Sequence, residues 1–273
     1  MRFELAGSLV HPAPMVLKFE TNQAFDPAVY INLGYTHFEV ICIGGGGGQG
    51  GKVDSGAGVR SVGGHGGGGG FHRVRGLLSA LPVSCPIVVG GAGTPGASHA
   101  TDPAQTTNGG NGGQSLFNDP TCRASGGEGG HRAQANTTTA PTYANGGQGG
   151  VGNHVNYGGG ATGGVAGTPS DTGPGTPGTS GIDGTLFNDV GQGGGGGAGG
   201  VSHYNGTLCN AGTAGGRGSY NPGDTSVYGP AGAPTHDYPG AASGAKAAPL
   251  NGLPTVYGKS ATPGIVIVRL TAE

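Results

Sequence analysis

The sequence predicts an all-β or irregular fold with almost no α-helix, in which a small β-sheet base carries a bundle of polyglycine II helices and long loops. Of the 273 residues, 68 are Gly and 19 are Pro. Leu, Ile, Val and Phe together number only 47, too few for an ordinary side-chain core. Charged residues make up 10% of the chain, whereas disordered chains are usually highly charged. We therefore expect an ordered fold with a core of unusual composition.

Residues 1–43 are expected to form the β-rich base. They contain only two glycines, Gly7 and Gly34. Short runs of apolar and β-branched residues predict strands at Met15–Phe19, Val29–Leu33 and Phe38–Ile43. No window shows the apolar period of 3.6 residues that indicates a helix.

Residues 44–263 are expected to form a polyglycine II body with loops, with two further strands at Phe71–Arg75 and Val83–Val89. Runs of five or more glycines can adopt a polyproline II conformation with three residues per turn and about 3.1 Å rise, so an eight-residue run would be about 25 Å long. Without Cβ atoms such helices can pack closely and bond to one another through their backbones. The glycines assigned this structural role are Gly44, Gly45, Gly46, Gly47, Gly48, Gly193, Gly194, Gly195, Gly196 and Gly197.

Residues 264–273 are expected to form a closing strand packed on the base. Ile265–Leu270 has the continuous apolar character of a buried strand and is predicted to pair with Phe38–Ile43. Within the body, residues 113–130 and 183–200 share the sequence Leu-Phe-Asn-Asp at an offset of 70, which indicates an internal duplication.

No catalytic residue, cofactor or metal site is predicted. The sequence has no G-x-S-x-G elbow, and its nine histidines lack metal-ligand spacing. The four cysteines are too far apart for a disulfide scaffold, so free thiols are expected. The absence of a basic cluster argues against a nucleic-acid partner. No run is long enough to predict secretion or membrane insertion.

Tyrosines are concentrated in the second half of the chain, among Asn, Ser, Thr, Gly and His, which is a composition typical of binding loops. Any one of them could instead fill a gap along the glycine bundle. The candidate receptor-binding residues are Tyr143, Tyr157, His203, Tyr204, Asn205, Tyr220, Tyr228, His236 and Tyr238.

The order of these blocks resembles the glycine-rich domain of bacteriophage minor tail proteins and tail-tip adhesins. The resemblance covers about residues 15–271, and the following segments carry it: Phe38–Gly51, Gly66–Arg75, Leu81–Gly93, Ser115–Phe117 and Gly264–Leu270. It implies a non-enzymatic virion protein at the tail tip or fibre, synthesised and assembled in the host cytoplasm. It also implies host recognition through loops that contact a cell-surface glycan or protein, other phage tail proteins as partners, and a homotrimer.

Two other functions are compatible with the same fold. The protein could be a purely structural tail-tip component that contacts only virion neighbours. An ice-binding polyglycine II protein is less favoured, since short regular repeats and a secretion signal are missing.

Overall fold

The computed structural model describes residues 11–51, 63–99, 105–132 and 261–272, together with the backbone of the short strands between and after them. The elements in chain order are β1 (Met15–Phe19), β2 (Gln23–Phe25), α1 (Pro27–Asn32), β3 (His37–Ile43), β4 (Val53–Asp54), β5 (Arg60–Ser61), β6 (Phe71–Leu77), a 3-10 turn (Leu78–Ala80), β7 (Cys85–Val88), β8 (Ser115–Phe117), β9 (Cys122–Ala124), β10 (Leu186–Phe187), β11 (Val190–Gly191), β12 (Val201–Tyr204), β13 (Thr207–Leu208) and β14 (Ile265–Thr271). The predicted all-β character with almost no helix is confirmed.

The first sheet joins the two ends of the described chain. Its strand order is β1-β14-β3-β6-β11-β10, and all neighbours are antiparallel. The predicted pairing of the closing strand with Phe38–Ile43 is confirmed, because Phe38 pairs with Leu270 and Ile43 with Ile265. The predicted strands at Met15–Phe19 and Phe71–Arg75 are also present, the second extended to Leu77.

A second sheet, in the order β2-β7-β8-β9, packs against the first. The shared core contains Val40 and Leu270 from the first sheet and Ile87 from the second, all almost inaccessible to solvent. Phe117 lies at its centre, with its ring centroid 5.6 Å from that of Phe25 and 6.3 Å from that of Phe38. The strand predicted at Val83–Val89 is observed as the shorter Cys85–Val88.

The prediction of a strand at Val29–Leu33 is wrong, because helix α1 occupies Pro27–Asn32. Local signals explain the difference. The Asp26 carboxylate accepts a hydrogen bond from the Ala28 amide at 2.9 Å, and Pro27 stands in the first turn, where its missing N–H costs nothing. Val29 and Ile31 remain about half exposed, so they do not supply the core face that a strand would need.

Five glycine-rich segments continue from the strands as a bundle of extended helices. We number them pg1 (44–51), pg2 (63–70), pg3 (90–97), pg4 (107–113) and pg5 (125–131). Their backbone N–H groups bond to neighbouring segments at N···O distances between 2.7 and 3.1 Å, and not within their own segment. The bonds therefore form between helices, as the sequence predicted.

Segment pg1 lies at the centre of this bundle. Gly44, Gly47 and Gly50 donate to pg2, whereas Gly45 and Gly48 donate to pg4. Gly51 also donates to pg4, Gly46 donates to the carbonyl of Thr262, and pg3 and pg5 donate back to carbonyl groups of pg1. Because the partner changes with a period of three residues, the pattern is that of polyglycine II helices with three residues per turn.

The repeated Leu-Phe-Asn-Asp sequence begins a hairpin in both of its copies. Leu116 and Phe117 lie in β8, which pairs antiparallel with β9. Leu186 and Phe187 form β10, which pairs antiparallel with β11.

The division of the chain into residues 1–43, 44–263 and 264–273 stays a prediction. Strands β6, β7, β8 and β9 belong to the sheets of the base, although they lie within residues 44–263.

Candidate functional site

Two connections between glycine helices, from pg1 to pg2 and from pg3 to pg4, lie at one end of the bundle, opposite the two-sheet base. The other two, from pg2 to pg3 and from pg4 to pg5, run through strands of the base. Segment pg1 leads away from β3, and pg2 returns to β6. In the same way pg3 leads away from β7 and pg4 returns to β8, while pg5 leads away from β9. We call this end the distal tip, and it is separated from the base by the length of pg1, about 25 Å at the rise of a polyglycine II helix.

A small antiparallel sheet lies at the distal tip. Its order is β13-β12-β5-β4, and β4 and β5 come from the connection between pg1 and pg2. Strand β12 pairs with β5, with His203 opposite Arg60. It also pairs with β13, with Tyr204 opposite Thr207. The backbone thus carries two of the candidate receptor-binding residues, His203 and Tyr204, at the end of the scaffold farthest from the base.

The other candidate receptor-binding residues lie outside the described residues. They are Tyr143, Tyr157, Asn205, Tyr220, Tyr228, His236 and Tyr238. The glycines Gly193, Gly194, Gly195, Gly196 and Gly197 also lie outside them, whereas Gly44, Gly45, Gly46, Gly47 and Gly48 form most of pg1.

Side-chain hydrogen bonds fix the rim of the distal tip. The Thr107 hydroxyl accepts from the Ala97 amide at 2.7 Å, which ties pg4 to pg3. The Asn108 side-chain carbonyl accepts from the Arg132 amide at 2.8 Å, and the Arg132 guanidinium donates to the carbonyl of the buried Thr106 at 2.9 Å. Segments pg3, pg4 and pg5 are therefore held together where their connections begin.

A cluster of thiols lies between the two sheets of the base. The Cys42 thiol donates to the carbonyl of Cys122 at 3.6 Å, and the Cys122 thiol donates to the carbonyl of His72 at 3.3 Å. Burial raises the pKa of the Cys42 thiol well above its usual value, and the neighbouring Cys122 raises it further. Both residues are fully buried, so neither sulfur can meet a substrate from solution. The free state predicted for the cysteines holds for Cys42, Cys85 and Cys122.

A charged group that the sequence reasoning missed occupies the outer face of the first sheet. Glu39 in β3 lies between Arg75 in β6 and Arg269 in β14, its direct cross-strand partners. Its carboxylate is 2.8 Å from the Arg75 guanidinium, 3.0 Å from that of Arg269 and 3.6 Å from that of Arg73. Arg269 is 230 residues away from Glu39 along the chain, which is why no sequence motif indicated the group.

The described part of the chain contains no group of three or more His, Cys, Asp or Glu side chains that could hold a metal ion. Within those same residues, no helix has both the length and the apolar character that a membrane crossing would require.

Comparison with known families agrees with the glycine-based architecture. The family model for a glycine-rich domain matches residues 20–271, which is nearly the whole chain. No curated protein matches the sequence.

Proposed function

Because the chain belongs to the family of glycine-rich domains, we propose that it is a non-enzymatic scaffold that presents recognition loops. We place it in a bacteriophage virion, as a minor tail protein at the tail tip or fibre. It would be assembled in the host cytoplasm as a homotrimer, with other tail proteins as its neighbours.

One observation carries this proposal, namely that the connection from pg1 to pg2, the connection from pg3 to pg4 and the continuation of pg5 leave the bundle at the same end. A scaffold with this geometry holds its base in one place and projects its connecting segments in one direction. Loops on a rigid support are where proteins commonly place binding residues. The backbone-bonded bundle supplies the support, since the glycine-rich helices are hydrogen-bonded to one another along their length.

The position of β12 in the distal sheet identifies residues at which the proposal can be tested. His203 and Tyr204 lie in the distal sheet, next to β5. Tyr combines a large contact area with a low loss of conformational entropy on binding, and His adds hydrogen-bonding capacity. We therefore assign contact with a host cell-surface glycan or protein to this end of the molecule.

Cell binding by the purified, fluorescently labelled chain tests the proposal. The variant His203→Ala/Tyr204→Ala is expected to lose most of its binding to a susceptible bacterial strain. The control is Val83→Ser, which changes an exposed apolar residue of the base. Equal binding by all three proteins would contradict recognition at the distal tip.

A purely structural role remains the second candidate. In that case the distal tip contacts virion neighbours, and the double variant would impair incorporation into the virion while the adsorption of assembled particles stays unchanged. Measuring both incorporation and adsorption separates the two functions.

A further inference from the structure

The outer face of the first sheet carries several cationic side chains around Glu39. The alternation of β1, β3, β6 and β14 directs Lys18, Arg73, Arg75 and Arg269 to this face together with that one carboxylate. Glu39 accepts from Arg75 Nε at 2.9 Å and from Arg269 Nη1 at 3.0 Å. Among the described residues of this face Glu39 is the one carboxylate, and its two oxygens are shared between Arg75 and Arg269.

The two guanidiniums that hold Glu39 are still open to solvent. The side chains of Arg75 and Arg269 are 59% and 43% exposed, whereas that of Glu39 is only 14% exposed. A guanidinium has five N–H donors, and the bonds to Glu39 engage only some of them. Both Arg side chains are thus oriented by Glu39 and can donate to a further acceptor.

A cleft of about 510 Å³ opens beside these side chains. Besides Glu39, Arg75 and Arg269, its lining includes Met15 and Val16 of β1. Val16 is the cross-strand partner of Arg269 and is itself 55% exposed. The cleft therefore offers oriented cationic donors beside exposed apolar surface.

We propose that this cleft is a docking site for an acidic segment of a partner protein. The segment lies across the strands, with a carboxylate on the guanidiniums of Arg75 and Arg269 and an apolar side chain against the exposed Val16. Arg presents paired donors that match the two oxygens of a carboxylate. The mixture of charge and apolar surface fits a peptide better than it fits a phosphate backbone, which would engage cations alone.

The location gives this site a different role from that of the distal tip. Glu39 and its partners lie in the sheets of the base, whereas the connections from pg1 to pg2 and from pg3 to pg4 leave at the opposite end. A partner bound here would hold the base and leave the distal tip free. The inference does not rest on the proposed recognition function and would hold even if the loops bound nothing.

Fluorescence anisotropy with a designed probe tests the docking site. The probe is a labelled ten-residue peptide with four Glu and two Leu among Ser and Gly, and its twin carries Gln in place of each Glu. We expect the full chain to bind the acidic probe, to bind the twin at least about tenfold more weakly, and to lose affinity for the acidic probe as salt rises. Failure to bind the acidic probe, or equal binding of the twin, would overturn the proposal.

Variants locate the binding. Arg75→Gln/Arg269→Gln is expected to weaken binding of the acidic probe by about tenfold or more. Arg75→Lys/Arg269→Lys, which keeps the charge but loses the paired donors, should weaken it less. The control Arg60→Gln/Arg123→Gln removes two cations that lie outside the first sheet and do not line the cleft, and it should change affinity by less than about twofold.

Circular dichroism of each variant confirms that the fold is intact. An equal loss of affinity in the Gln pair and in the control pair would mean non-specific charge attraction and would overturn the site. Binding of heparin or of anionic lipid vesicles, without binding of the acidic peptide, would overturn the assignment to a protein partner.

Discussion

At the scale of single residues, glycine has two different roles in the bundle. A Cβ placed on Gly47 would overlap the carbonyl group of Glu128 in pg5, and one on Gly48 would overlap the carbonyl of Thr94 in pg3. A Cβ on Gly91 would meet nothing within 4 Å. Glycine is therefore required where a helix is surrounded, whereas at an open position such as Gly91 an alanine would fit.

The pair Gly47→Ala and Gly91→Ala tests this distinction. We expect Gly47→Ala to lower the free energy of unfolding by about 3 kcal/mol or more, because overpacking adds to the loss of inter-helix hydrogen bonds. Gly91→Ala should leave stability within about 1 kcal/mol, with a tendency to increase it, since alanine reduces the freedom of the unfolded chain. Urea denaturation measures both, and equal effects would contradict a bundle packed through its backbone.

Cys85 gives a second residue-scale prediction, on the pH dependence of stability. Burial raises the pKa of its thiol to about 11, with a further contribution from the Asp26 carboxylate. The pKa of the folded state lies above the unfolded value of about 8.5. The neutral thiol therefore contributes its full share to the stability of the fold below about pH 8.5, and this share is lost as pH rises towards 11.

The matched variant Cys85→Ala isolates this effect from the Tyr and Lys residues that titrate in the same range. Urea midpoints at pH 7.5, 9 and 10.5 should fall more steeply for the natural chain than for the variant. Parallel curves would show that Cys85 ionises as readily in the folded state as in the unfolded state.

At the scale of elements, strands that are neighbours in a sheet continue into glycine helices that are neighbours in the bundle. Strand β3 pairs with β6 and β14, and pg1 in turn bonds to pg2, which precedes β6, and to Thr262, which precedes β14. Likewise β8 pairs with β7 and β9, and pg4 bonds to pg3 and pg5. The strand order within each sheet is thereby carried into the bundle, whereas the bonds from pg1 to pg3, pg4 and pg5 join the helices of one sheet to those of the other.

This continuity explains which parts of the fold the sequence could predict. The apolar strands and the closing pair could be read from residue patterns, and a three-residue helical period follows from the glycine runs. The neighbours of each glycine helix could not be predicted, since the bonds between helices join backbone groups that every segment presents alike. The cleft around Glu39 was missed for a related reason, because β3, β6 and β14 bring distant residues together.

Asn111, at the centre of the Gly-Gly-Asn-Gly-Gly run of pg4, supplies a side-chain acceptor within the bundle. The Asn111 side-chain carbonyl accepts from the Gly129 amide at 2.9 Å, joining pg4 to pg5. We expect Asn111→Ala to accelerate hydrogen exchange of the Gly129 amide, because that N–H loses its acceptor. Asn111→Asp keeps an acceptor oxygen and should preserve slow exchange, and equally fast exchange in both variants would assign the protection to packing alone.

At the scale of the whole molecule, base and bundle are expected to unfold together. The chain passes from sheet to bundle without an intervening linker at Ile43–Gly44 and Gly70–Phe71, so a break in one part removes the support of the other. The junction is further secured by the buried Ser115 hydroxyl of β8, which accepts from the Gly90 amide at 3.0 Å. The backbone-bonded bundle and the side-chain core of the base would then form a single cooperative unit.

Gly47→Ala distinguishes one cooperative unit from two, because it perturbs only the bundle directly. If the unit is single, hydrogen exchange at high denaturant should report the same loss of stability for the Gly48 amide in pg1 and for the Val40 amide in β3. These two amides lie on opposite sides of the junction in one continuous stretch of chain. An effect confined to Gly48 would mean that the base folds without the glycine helices. The bundle would then depend on the sheets for its support, whereas the sheets would not depend on the bundle.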